Sequence, residues 1–183
     1  MKKIISIALV LLAMVVTITG CNSYKPDTSG FTKEYVEKEQ RFLNEFKNKY
    51  ENATTDADKE LYAFETGFRY MNLGKYTKAI KYYEIVLKLN PEHPQALNNL
   101  AVIYEEMSEF QKALTYEQKL YNKNATSTEV VMDTIRLLVK NKQLNDAQGV
   151  LDKFASTEEG KSQGDFLSEQ MQYLTEAREK ALE

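Results

Sequence analysis

Residues 60–91, ELYAFETGFRYMNLGKYTKAIKYYEIVLKLNP, set the architecture, because their pattern returns 34 positions later and once more 34 after that. Gly67, Ala101 and Ile135 share one phase of this period, and Tyr70, Tyr104 and Leu138 share a second. Tyr76, Phe110 and Leu144 form a third, and Ala79, Ala113 and Ala147 a fourth. Apolar residues recur at helical spacing within each cycle, and Gly74 and Pro91 punctuate the first. Each cycle therefore reads as two helices joined by a turn. Small residues where the two helices cross let the backbones approach, and large residues opposite fill the space.

This period and pattern resemble the tetratricopeptide repeat, whose signature runs W-x2-L-G-x2-Y, then A-x3-F, then P. The first repeat carries Ala63 at the tryptophan position, Thr66 and Gly67 at the Leu-Gly pair, and Tyr70 at the tyrosine. Ala79 and Tyr83 stand at A-x3-F, and Pro91 at the stop. The second repeat matches at Leu97, Leu100, Ala101, Tyr104, Phe110, Ala113 and Leu120. It departs at Glu117, where an aromatic is usual, and at Ala125, where proline is usual. The third keeps only the apolar phase, through Val131, Thr134, Ile135, Leu138, Leu144, Ala147, Leu151 and Phe154. The resemblance implies an all-α, right-handed helical solenoid of about three helix pairs, at 60–93, 94–127 and 128–155.

Such pairs need covers at both ends of the stack. A helix over 31–51, with Tyr35, Phe42, Leu43, Phe46 and Tyr50 on one face, suits one end. A helix over 165–182, with Phe166, Met171, Leu174 and Ala177, suits the other. Pro91 and Pro94 bracket the break between the first two repeats, and Thr126 with Glu129 has capping-box spacing at the start of the third. The helical domain is thus expected to span 31–183.

Ahead of it, Lys2 and Lys3 precede an apolar run from Ile4 to Thr19, shorter than the roughly 20 residues of a spanning helix. The run closes on Ile18, Thr19, Gly20 and Cys21, which resembles a bacterial lipoprotein signal peptide with its lipobox. That resemblance implies cleavage of residues 1–20, lipid on Cys21, and a flexible tether over 21–30 that contains Pro26 and Gly30. Two or three acyl chains would anchor the protein stably to a membrane. The implied location is the cell envelope, outside the cytoplasm: the periplasmic face of the outer membrane in a Gram-negative host, or the outer face of the cell membrane in a Gram-positive one.

Composition limits the function classes. The chain has 24 basic and 27 acidic side chains, a formal net charge of −3, so no basic surface for nucleic acid is expected. Its single cysteine cannot form a disulfide within the chain, and stability must come from packing. The one histidine, His93, falls in the Pro91–Pro94 break without the partners that a general base or metal ligand needs. No catalytic residue, metal site, cofactor or small-molecule substrate is expected, and the chain reads as a non-enzyme.

What remains is a binding surface. In tetratricopeptide domains the first helix of each pair lines a concave groove that receives a segment of another protein. In the first repeat Leu61, Phe64, Phe68 and Met71 form an apolar stripe apart from the consensus positions. Asn98, Asn99 and Val102 continue the groove in the second repeat, and Met132 and Arg136 in the third. An apolar stripe leading into a polar one suits an amphipathic guest. It could equally be covered by the helix at 31–51. The function expected from all this is a lipid-anchored adaptor or scaffold for another protein. A self-assembling structural protein is the alternative.

Overall fold

The structure, a computed structural model, describes residues 28–182, and every regular element among them is a helix. The leader over 1–20, Cys21 and most of the expected tether lie outside the described residues. Three helix pairs follow one another: α2 (Asp56–Asn72) with α3 (Tyr76–Leu89), α4 (Pro94–Glu106) with α5 (Phe110–Lys123), and α6 (Thr128–Lys140) with α7 (Leu144–Ala155). α1 (Lys33–Glu51) lies on α2, and α9 (Gly164–Lys180) lies on α7 and touches α6. A single turn of helix, α8 (Glu158–Lys161), turns the chain between α7 and α9. Contacts run almost wholly between helices adjacent in sequence, as a solenoid requires.

The turn inside each pair is the same structure three times. Gly74, Ser108 and Lys142 lie 34 apart and adopt positive φ of 66°, 58° and 61°. In the first turn Gly74 N–H donates to the Met71 carbonyl and Lys75 N–H to the Tyr70 carbonyl, both at 2.8 Å. The same two bonds recur as Ser108 to Glu105 with Glu109 to Tyr104, and as Lys142 to Val139 with Gln143 to Leu138. This double bond pattern around one left-handed residue ends a helix and satisfies carbonyls that would otherwise be orphaned. Only the first turn uses glycine, for which the conformation carries no Cβ penalty.

The crossings explain the small residues. An added Cβ on Gly67 would meet the Tyr83 ring at 3.0 and 3.1 Å and Tyr82 Cβ at 3.3 Å, so α2 and α3 approach as closely as they do only because that side chain is absent. Ala79, Ala113 and Ala147 are fully buried at the same phase of the second helices. On the other flank of the first two crossings, tyrosine pairs repeat with the period. Tyr70 meets Tyr82 at 5.5 Å and Tyr104 stacks on Tyr116 at 5.6 Å, with Lys78 and Lys112 over the first ring of each pair. Burial pushes the Tyr104 hydroxyl up to about 12.

Local starts agree with the sequence in kind, with one shift. Thr32 and Thr55 cap α1 and α2 through their hydroxyls. The third pair starts one residue later than the Thr126–Glu129 spacing suggests, because Ser127 accepts the Val130 N–H and serves as the cap.

Because Ser108 and Lys142 hold a conformation that costs an L-residue roughly 1 kcal/mol or more, Lys142→Gly and Ser108→Gly should each stabilise the domain by about 0.5 to 1 kcal/mol, and Gly74→Ala should destabilise it by a similar amount. Thermal unfolding checks this: melting temperatures should move by about 2 to 4 °C per kcal/mol in those opposite directions.

Candidate functional site

The first helices of the pairs, α2, α4 and α6, carry the candidate groove residues at matching phases: Phe64, Asn98 and Met132 at one, Phe68, Val102 and Arg136 at the next. Their surroundings differ from pair to pair. The apolar stripe of α2 divides. Phe64 turns toward the core, with its ring 5.7 Å from Tyr83 and stacked 5.0 Å from the imidazole of His93. Met71 follows it and accepts a hydrogen bond at its sulfur from the Tyr83 hydroxyl at 3.8 Å. Leu61 is 51% exposed, and Phe68 is half-buried and stands outside the buried core cluster.

α1 packs on the flank of α2 that holds Tyr62 and Arg69, with Lys49 over the Tyr62 ring. The Arg69 guanidinium is the central polar contact between α1 and α2, beside those of Tyr35 and Glu39 with Asn72. It lies 5.2 Å from the Phe42 ring, 5.7 Å from Phe46 and 5.0 Å from Phe68, so residues of both helices enclose one cation. Its charge is met by Glu39 of α1 at 3.3 Å and Glu65 of α2 at 3.0 Å. Glu39 is 5% exposed and also accepts from the Asn72 side chain at 3.0 Å. Arg69 Nε is buried without a partner. Phe42, Phe46 and Phe68, all half-buried, thus surround the Arg69 ion pair, and Leu61, two helical turns before Phe68 on the same side of α2, is exposed.

In the second pair Asn98 is exposed and Val102 half-buried. Asn99 points its amide inward and donates to the Tyr83 hydroxyl at 2.9 Å, so that group already serves the joint between the first two repeats. Burial holds the Tyr83 hydroxyl far above the usual phenol range. His93 caps α4, its Nδ1 accepting the Ala96 N–H at 3.2 Å, while Nε2 lies 3.8 Å from Glu60. An accepting Nδ1 places the ring proton on Nε2.

In the third pair Met132 is 41% exposed and Arg136 half-buried. Arg136 pairs with Glu105 of α4 and, at 2.7 Å, with Asp133. Lys140 reaches the same Glu105 oxygen at 2.7 Å. These pairs tie α4 to α6 along the face that carries the groove residues. Burial lowers the Arg136 and Lys140 pKa values, and burial with nearby Glu129 raises that of Asp133. One end of the face is therefore apolar and aromatic, the other charged and internally paired. The Arg69–Glu39 pair was missed from sequence, although Glu39 falls in phase with Tyr35, Phe42, Leu43 and Phe46, where an acidic residue is out of place.

The tetratricopeptide repeat family matches residues 66–127. The chain is 43% identical over 60 residues to the uncharacterized protein ycf37 of Pyropia yezoensis, across 33% of this chain and 32% of that protein. It is 44% identical over 52 residues to the Photosystem I assembly protein Ycf3 of Cyanophora paradoxa, across 28% of this chain and 30% of that one. With the Ycf3 of Rippkaea orientalis it shares 34% over 87 residues, across 46% of this chain and 49% of the relative. The chain thus spans about a third to a half of the length of these relatives. Among solved structures, the MamA RS-1 ArsTM double mutant superposes with a TM-score of 0.58 at 14% identity, covering 86% of this chain and 98% of that one. The fold is the tetratricopeptide-type helical solenoid that the repeat pattern implied, with helices covering both ends. One expectation is corrected by the same matches. The extracytoplasmic cell-envelope location is overturned by relatives that are photosystem I assembly proteins, and it is withdrawn.

The Arg69 ion pair yields a direct test. Arg69→Met leaves Glu39 buried without a cation and should cost about 3 kcal/mol, whereas Arg69→Met with Glu39→Leu should recover most of that loss. A double-mutant cycle on chemical denaturation measures the coupling. Equal losses for the single and double variants would mean that packing by the arginine stem, not charge, is what matters.

Proposed function

We propose that the chain is a non-enzymatic adaptor that holds a segment of another protein along the face of α2, α4 and α6, with an apolar side chain of the guest anchored at Leu61 and Phe68. The carrying observation is the patch itself. Leu61 is 51% exposed, and Phe42, Phe46 and Phe68 stand outside the core cluster. Fully burying a Leu or Phe contributes about 1.5 to 3 kcal/mol, so covering the exposed Leu61 and the open part of the half-buried rings would supply an anchor. Beyond the anchor, Asn98 and Met132 remain exposed for contact along the guest, and Val102 lies half-buried between them. Asn99 and Arg136 contribute through the joints they hold. The relatives named as assembly proteins support a role in which such a guest is held while a larger assembly forms.

The proposal includes a membrane tether. Ile18 to Cys21 retain the lipobox pattern, and lipid on Cys21 would keep the repeat domain within a short reach of the bilayer. No helix among the described residues is long and apolar enough to cross a membrane, and the proposed tether rests on this cysteine.

A photo-crosslinking residue placed at Phe68 in the full chain should capture a partner in the native cell, and Leu61→Asp should abolish capture while lowering the melting temperature by no more than a few degrees. Marked destabilisation without any captured partner would assign the patch to the fold and overturn the proposal. For the tether, Cys21→Ser should leave an unprocessed precursor that takes up no labelled acyl chain. Normal processing and labelling of that variant would refute lipidation.

A further inference from the structure

The joint between the second and third repeats holds a carboxyl group that the adaptor reading does not use. Glu117 on α5 is 2% exposed, among the most buried large side chains of the protein. It occupies the position taken by Tyr83 one repeat earlier and by Leu151 one repeat later. Its hydrogen-bond partner is the Thr134 hydroxyl of α6, which is fully buried and 3.5 Å from Oε1. No cation among the described residues pairs with it. Asp133 and Glu129 of α6 both press on it with like charge. Asp133 is held by Arg136, and α4, the other helix against α5, sends its Glu105 to Arg136 and Lys140 and stacks its Tyr104 on Tyr116.

A carboxylate here would be desolvated, poorly hydrogen-bonded and repelled, whereas a carboxylic acid has only the ordinary demands of a buried polar group. We infer that the α5–α6 joint is a proton-dependent coupling: with Glu117 protonated, the third repeat and α9 stay packed on the first two, and loss of that proton loosens the joint locally. The Tyr83–Asn99 joint, which the same register places one repeat earlier, is closed by a neutral phenol and an amide and has no such dependence near neutral pH. Burial first, then Asp133, pushes the Glu117 carboxyl from an ordinary 4.5 up to about 7.

The sign follows. The folded chain holds this proton more tightly than the unfolded chain does, so the stabilisation is complete at pH 4.5 and below. It falls as pH rises toward about 7 and is constant above that. The coupling does not depend on which protein the chain binds.

The test uses the full chain, kept in detergent for its apolar N-terminal run. Carboxyl carbon NMR, with Glu117→Gln identifying the signal, should show Glu117 titrating with a midpoint near 7. Hydrogen exchange, corrected for intrinsic rates, should show amides of α5, α6 and α7 opening more often at pH 8 than at pH 5.5, with those of α2 and α3 unchanged. Glu117→Gln should remove that difference. Glu117→Leu, which places at 117 the residue type that the third repeat carries at 151, is the second variant should the amide fail to fold. Relative to either, the wild type should lose roughly 5 °C or more of melting temperature between pH 5 and pH 8. A midpoint near 4.5 would overturn the inference. So would a midpoint near 7 with exchange in α5–α7 that is independent of pH or unaltered by both variants.

Discussion

Each helix pair closes around one position of its second helix, occupied by Tyr83, Glu117 and Leu151, and the size and polarity of that residue govern what the neighbouring helices must provide. Size is answered on the first helix of the pair. Tyr83 faces Gly67, where an added Cβ would lie a tight 3.0 Å from the ring, and in the same register Glu117 is matched with Ala101 and Leu151 with Ile135. The larger residue on one helix goes with the smaller on the other, as a close-packed crossing of fixed helix separation demands. Polarity is answered by the next repeat. The Tyr83 phenol takes the Asn99 amide, the Glu117 carboxyl takes the Thr134 hydroxyl, and Leu151 asks for nothing. A buried polar group obliges a neighbour to supply its hydrogen bond. The polar positions therefore link one repeat to the next, and the joints of this solenoid are not equivalent.

This explains how much could be read from the residues alone. The period, the helix pairing and the small residues at the crossings follow from local pattern, since each repeat contacts only its neighbours and little depends on distant sequence. The three turns followed in phase although Ser108 and Lys142 carry no turn signature, because the tertiary register imposes a conformation that their own preference resists. Glu117 stood out as a departure from the aromatic pattern, but only the buried position beside Asp133 and Thr134 shows what the departure does. The α2 stripe was less legible. Four residues at helical spacing span enough arc to meet different surroundings: Phe64 and Met71 turn inward, Phe68 packs half-buried against Phe64 and Arg69, and Leu61 is exposed. Periodicity locates a face, but it does not say where along that face one neighbour ends and solvent begins.

The Arg69 cluster shows the complementary limit. Glu39 and Arg69 are 30 residues apart on helices dense with charge, where most pairs are exposed contacts three or four residues apart, such as Lys33–Glu37 and Lys47–Glu51. Exposed pairs of that kind contribute little. The buried pair differs because α1 brings its apolar face, with Glu39 set among Tyr35, Phe42 and Leu43, onto α2. An end helix that packed through apolar residues alone could slide along its partner with small loss. One that must seat a carboxylate on a guanidinium and an Asn72 amide is held in a single register.

That registration matters for the face that carries the proposed anchor. Phe42 and Phe46 meet Phe68 around Arg69, the group that registers α1 on α2, whereas at the far end Arg136 and Lys140 converge on Glu105 and leave little free charge. Charges that are already paired gain little from a guest, while exposed apolar area gains in proportion to what is covered. In the proposed adaptor, binding energy would be concentrated near the α1–α2 end, on one side of the Tyr83–Asn99 joint, and the ionisable Glu117 joint lies on the other. A guest anchored at Leu61 and Phe68 that extends toward Met132 would span both joints, so its affinity would draw on the order of the third repeat without its anchor depending on it.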